Sequence, residues 1–177
     1  MAILKIARMG HPVLLRRADP VPDARDPEIR RLIADMGETM LDAGGLGLAA
    51  PQVHVPLRLF VWREGDQLHA LVNPELTLLG PAEAPGWEGC LSIPGLRGNV
   101  PRAARLAFRG LDRDGAPVEG EAEGTVARVM QHEVDHLDGV LYPMRMTDFA
   151  QFGFNEELAR NSAAAAAAIA AARERAA

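Results

Sequence analysis

An α+β domain is what the sequence predicts, on three observations. The first is His132-Glu133-Val134-Asp135-His136, framed by Val126, Val129, Met130, Leu137 and Val140 at helical spacing. Two histidines four residues apart stand over one another on a helix, so both imidazoles can reach one metal ion, with Glu133 beside its open position. The second is a single longer helical stripe, Ile29, Leu32, Ile33, Met36 and Met40. The third is a set of short apolar runs joined by tight polar turns, the pattern of antiparallel hairpins. Together they predict short antiparallel β-sheets packed around a central metal-binding helix carrying H-E-x-x-H, with the helix of residues 27 to 43 outside.

Each element can be justified in chain order. Residues 3 to 7 are expected as a short edge strand, followed by a turn at Gly10-His11-Pro12 and a short helical piece, with His11 on the surface. Pro20 and Pro22 mark a loop. Asp26 is placed to cap the next helix, with Pro27 as its first residue, because proline lacks the N–H that the first turn leaves unpaired. Gly44-Gly45 ends it, and Met36 and Met40 belong to the core. Leu57–Trp62 and His69–Pro74 are expected to form a hairpin around Glu64-Gly65-Asp66, and residues 76 to 79 a further strand. Residues 81 to 86 are expected as a loop that delivers Trp87-Glu88-Gly89-Cys90-Leu91-Ser92. Residues 102 to 112 and 117 to 123 form a second hairpin around Arg113-Asp114-Gly115, after which Gly124 or Thr125 caps the metal-binding helix. His54 and His69 have no motif around them.

The totals narrow the function. A chain of 177 residues can bury one core unaided, and its 48% hydrophobic and 24% charged residues are those of an ordinary globular protein. A formal charge of -5 offers no general attraction for nucleic acid or anionic lipid. No apolar run approaches a membrane span. The single cysteine, Cys90, excludes an internal disulfide and suits a reducing compartment, so the cytoplasm is the expected location. No exposed apolar stripe asks for a second copy, and a monomer is expected.

Gly45-Leu46-Gly47-Leu48-Ala49-Ala50-Pro51-Gln52 nominally matches a dinucleotide-binding fingerprint, but that fingerprint needs a strand before it and a helix after it. Here a helix precedes. Glycines at this place instead let a backbone approach an extended peptide closely.

Three signatures, G-x-G-x-A-A-x-Q at Gly45–Gln52, E-G-C-x-S at Glu88–Ser92 and Q-H-E-x-D-H at Gln131–His136, stand in this order, and the chain thereby resembles the peptide deformylases. The likeness spans roughly residues 3 to 145. It implies a metallohydrolase domain over residues 1 to 150 and leaves residues 151 to 177 as an Ala-rich tail, helical or frayed. It also makes Cys90 the third metal ligand beside His132 and His136, leaving the fourth tetrahedral position to water. Glu133 is then the general base and acid, and the Gln52 side-chain amide and the Leu91 backbone N–H stabilise the oxyanion. Leu46, Gly47 and Gly89 are the positions at which the family pairs with substrate backbone. Leu46, Val129 and Trp87 are expected to line an apolar slot for a methionine side chain, with Thr125 and Arg128 nearby, the stem of Arg128 packing while its charge reaches water. Arg97 and Arg102 lie just after the cysteine loop, each a candidate partner for Glu88 or a plain surface residue. The implied reaction removes the N-formyl group from the initiator methionine of new polypeptides and releases formate. The implied cofactor is one divalent ion, Fe²⁺ by resemblance, with Zn²⁺, Ni²⁺ and Co²⁺ accepting the same donors. N-formylmethionyl peptides and nascent chains are the expected partners, with at most transient ribosome contact.

Overall fold

Helix α1 (Pro27–Asp42) starts where the sequence places it: Asp26 accepts the Glu28 N–H at 2.8 Å and Pro27 follows as the first helical residue, in a computed structural model that describes residues 2–81 and 84–162. Beyond Gly44, at a φ of +68°, the chain enters a short strand, β1 (Gly47–Ala49), and then a single 3-10 turn over Ala50–Val53. Strands β2 (Leu59–Glu64) and β3 (Gln67–Leu78) form the first expected hairpin. The separate strand expected at residues 76 to 79 is the far half of β3. A bulge at Asn73, with φ of +51°, carries the ladder across Pro74, and the Asn73 side chain bonds both the N–H and the carbonyl of Val21.

Strands β4 (Ala84–Cys90) and β5 (Ile93–Arg102) follow, then β6 (Arg105–Leu111) and β7 (Pro117–Glu123). All pairings among the named strands are antiparallel, in a five-stranded sheet of order β1-β2-β3-β6-β7 and a three-stranded sheet β4-β5-β8, where β8 is Phe152–Phe154. Helix α2 (Gly124–Leu137) begins as β7 ends, with Gly124 at φ of +58° turning the chain. Its N-cap position is held by Glu123, without a side-chain bond, rather than by Gly124 or Thr125.

The five-stranded sheet lies between the two helices, which explains why Leu59, Phe60, Val61 and Trp62 of β2 are buried in succession. Leu59 and Val61 face the α1 side with Met36 and Met40, while Phe60 and Trp62 face the α2 side with Met130 and Leu137. Alternate residues of one strand thus enter different cores. A third cluster, Leu14, Ile93, Val100, Leu141, Tyr142 and Met146, backs the smaller sheet.

Three further local expectations need correction. Residues 3 to 7 make no strand: the N–H of Leu4 binds Thr39 Oγ1, that of Ala7 binds the Gln52 carbonyl and that of Met9 the Ser92 carbonyl, acceptors on separate elements that form no ladder. The loop expected up to residue 86 is already β4 from Ala84 onwards, because Ala84, Pro85 and Gly86 pair with Arg102, Pro101 and Val100. Of the expected tail, Phe152–Phe154 pairs with β5 and residues 155–162 are helical; the alanine run from 163 to 177 lies outside the described residues.

Candidate metal centre

The centre forms where the end of β4 meets the middle of α2. Helical spacing stacks His132 and His136 on one face, both buried, with ring centroids 5.0 Å apart. Strand alternation puts Gly86, Glu88 and Cys90 towards α2 and leaves Trp87 and Gly89 exposed on the other side. Cys90 closes β4 just before the tight turn Leu91-Ser92, and its Sγ lies 3.2 Å from His136 Nε2. One donor atom from each of Cys90, His132 and His136 lies within 4.8 Å of the others. A thiolate and two imidazoles are a donor set that several divalent transition metals accept.

The surroundings fit a cation. Burial pushes the His132 imidazole down, but its bonds to Cys90 and Glu88 outweigh this and raise it to about 10. His136 is held well below the ordinary imidazole range by burial and by His132. His132 donates from Nδ1 to Glu88 Oε2 at 2.9 Å, which fixes the ring and leaves Nε2 for a metal.

Glu133 is 3% exposed, and its Oε2 has no hydrogen-bond partner among the described residues. Burial raises its carboxyl to about 7, against the downward pull of His132. Gly47 faces it: a Cβ there would overlap the Glu133 carboxylate and come within 2.8 Å of Val129. Gln52, buried, accepts the Ala49 N–H through Oε1 at 2.8 Å and donates from Nε2 to Ser92 Oγ at 3.2 Å and Cys90 Sγ at 3.5 Å. The structure thus gathers Cys90, His132, His136, Glu133, Gln52, Gly47 and Val129 into one place. Leu91 lies in the adjoining turn, its side chain against Gly45. Leu46 and Trp87 are about half exposed, and Thr125 is exposed.

Behind the centre lies an ion network that the sequence left largely unassigned. Arg102, not Arg97, pairs with Glu88, through Nε at 2.9 Å and Nη2 at 3.0 Å, while its Nη1 reaches Asp135 at 2.6 Å. Arg145 donates to the other Asp135 oxygen at 2.7 Å. Burial pushes the Glu88 carboxyl up, yet the bonds from His132 and Arg102 prevail and hold it at about 2. Gln131 spans from α2 to Ala103, accepting its N–H at 3.1 Å and donating to its carbonyl at 2.9 Å. The charge of Arg128 does not run out to water as expected: Nη1 bonds Glu88 Oε1 and the Val100 carbonyl, each at 2.8 Å. Glu88, Gln131 and Asp135 are letters of the quoted signatures, and that was the available signal.

Residues 3–152 match the family model for polypeptide deformylase. The chain belongs to that family. Peptide deformylase 1 of Prochlorococcus marinus is 47% identical over 89% of this chain and 88% of its own length, and peptide deformylase 2 of Ralstonia nicotianae 48% identical over 88% and 94%. The crystal structure of peptide deformylase from Thermotoga maritima superposes with a TM-score of 0.80 at 40% identity, covering 84% of this chain and all of that one. That from Synechococcus elongatus, in complex with actinonin, gives 0.81 at 36%, covering 85% and 82%. As a deformylase, the chain is a hydrolase of a metal-dependent family with an α+β fold. No described helix is long and apolar enough to cross a membrane.

Proposed function

We propose that this chain hydrolyses the N-formyl group of the initiator methionine on newly made polypeptides, releasing formate and a free amino terminus. The observation that carries the reading is a buried carboxylate, Glu133, with an unpartnered oxygen beside a Cys90–His132–His136 cluster whose donors lie within 4.8 Å of one another. A purely structural metal site would need no such carboxylate.

Cys90, His132 and His136 hold one divalent ion, Fe²⁺ by family resemblance, although the donor set also accepts Zn²⁺, Ni²⁺ and Co²⁺. When bound, the ion supplies Lewis acidity at the formyl oxygen and acidifies water. Glu133 takes a proton from the attacking water as its oxygen adds to the formyl carbon. It then delivers that proton to the amine nitrogen as the C–N bond breaks. Gln52 Nε2 and the Leu91 N–H donate to the oxyanion; losing one such donor typically costs about 3 kcal/mol of transition-state stabilisation. Leu46, Gly47 and Gly89 lie at the ends of the two sheets, on or beside the edge strands β1 and β4, where an extended substrate can add its backbone. Val129, with Leu46, lines the side that takes the methionine, whereas Trp87, expected there from the sequence, lies on the opposite face of β4 beside Arg97 and Leu158.

Anaerobically loaded protein given formyl-Met-Ala-Ser should release formate, and Glu133→Ala should abolish release while keeping its metal. Free amino acids as products would replace this reading with an internal peptidase, and no product at all with a metal that only braces the fold. Parallel loading with Fe²⁺, Zn²⁺, Ni²⁺ and Co²⁺ should rank Fe²⁺ first. We place the enzyme in the cytoplasm, as a monomer meeting nascent chains with only transient ribosome contact. Light scattering at twice the chain mass would refute the monomer, co-sedimentation with vacant ribosomes through high salt the transient contact, and recovery in the extracellular or membrane fraction of its own cells the location.

A further inference from the structure

Glycine at position 86 is not required by backbone conformation, since it is absent from the positive-φ positions. What it leaves is space for a side chain. A Cβ there would stand 2.7 Å from Arg128 Nη2, 2.8 Å from its Cζ and 3.0 Å from its Nε, so the guanidinium lies against the Gly86 Cα. From that seat Nη1 reaches the Gly86 carbonyl at 3.4 Å, Glu88 Oε1 at 2.8 Å and the Val100 carbonyl at 2.8 Å. One side chain of α2 thus ties two points on β4 and one on β5. The side chain of Arg128 is 19% exposed and that of Glu88 4%, so the pair is shielded from solvent.

The tie matters because β4 is an edge strand, paired among the described residues with β5 alone, and it carries Cys90 at one end and Gly89 beside it. We propose that Arg128, seated in the space left by Gly86, is a positioning residue that holds the substrate-pairing edge of β4 against α2. This rests on the deformylase reading above and adds to it a specific division of labour. Glu88 keeps Arg102 through Nε and Nη2 whether or not Arg128 is present, so His132 stays oriented by its own bond to Glu88. Arg128 therefore bears on peptide binding through the strand, and Arg102 on the metal ligand through the carboxylate.

A double-mutant cycle tests the clamp. Arg128→Met removes the guanidinium, and Gly86→Ala displaces it while leaving every charge in the chain. Each should raise KM for formyl-Met-Ala-Ser about tenfold, equivalent to about 1.4 kcal/mol of lost binding, with kcat and metal content little changed. The double variant should be no worse than Arg128→Met alone, because the added methyl then meets no guanidinium. Amide exchange over residues 84–90 should quicken in all three, and the exposed Trp87 should become more open to acrylamide quenching. Unchanged KM and exchange in both single variants would overturn the proposal, as would single effects that multiply in the double. Should Arg128→Met fail to fold, Gly86→Ala and Arg128→Lys carry the test. Wild-type protein that released no formate would refute the deformylase reading instead, and exchange and quenching would still decide whether the clamp exists.

Discussion

Gly47 and Glu133 are 86 positions apart along the chain, yet each limits what the other can be. A methyl group at 47 would occupy the space of the Glu133 carboxylate, so Gly47→Ala should push that carboxylate off its working position. Misplacement of a reacting group by about 1 Å can cost a hundredfold in rate, and Gly47→Ala should lose activity on that scale with its metal content intact. Formate release and metal analysis on the same preparation check this; activity near wild type would mean that Glu133 moves aside without consequence. The sequence showed Gly47 as part of a signature. It could not show which side chain the missing Cβ makes room for.

At the scale of elements, α2 is joined to β4 and β5 by an ion network rather than by apolar contact alone. Arg102 bridges two buried carboxylates, Glu88 and Asp135, so Arg102→Met leaves both short of a partner. Breaking a buried pair from one side costs about 3–5 kcal/mol, against about 1 kcal/mol or less for the exposed Arg105–Glu121 pair. Urea unfolding of Arg102→Met and Arg105→Met should separate them by that margin; equal losses would mean the buried network contributes no more than a surface contact. Glu88 also sets an acid limit. Its folded carboxyl is held at about 2 against an ordinary 4.5, so the folded state favours its ionised form. That stabilisation is fully present above about pH 4.5 and lost as pH falls towards about 2. Metal-free protein should lose stability through this window, and Glu88→Gln should flatten the loss. An identical acid profile in the variant would assign the loss to other carboxylates.

For the whole molecule, the metal donors meet the apolar interior at the third cluster, where Cys90 packs at the margin and the His132 ring stacks on Tyr142 with centroids 6.0 Å apart, while the two clusters flanking the larger sheet are built from other residues. The sheet held between Met36 and Met40 on one side and Met130 and Leu137 on the other should therefore stand without an ion. A bound metal adds stability only through its preference for the folded donor arrangement. Chelation should lower the melting temperature while leaving the far-ultraviolet circular dichroism at room temperature unchanged. Loss of that signal on chelation would show that the ion is needed for folding.

What the sequence alone determined were features set by near neighbours. These were the cap and first residue of α1, both hairpins with their glycine turns, and the helix that aligns His132 and His136, because capping, tight turns and a 3.6-residue period depend on spacing along the chain. The signatures added which residues to expect together. Tertiary structure alone decided that residues 3 to 7 run from acceptor to acceptor without a ladder, that Ala84–Gly86 extends β4, and that Phe152–Phe154 closes the smaller sheet. It also decided that Arg102 rather than Arg97 meets Glu88, and that Arg128 turns inward over Gly86. Those outcomes depend on which donors and acceptors folding brings across from distant segments, and on how much space is left when they arrive, neither of which spacing along one segment can encode.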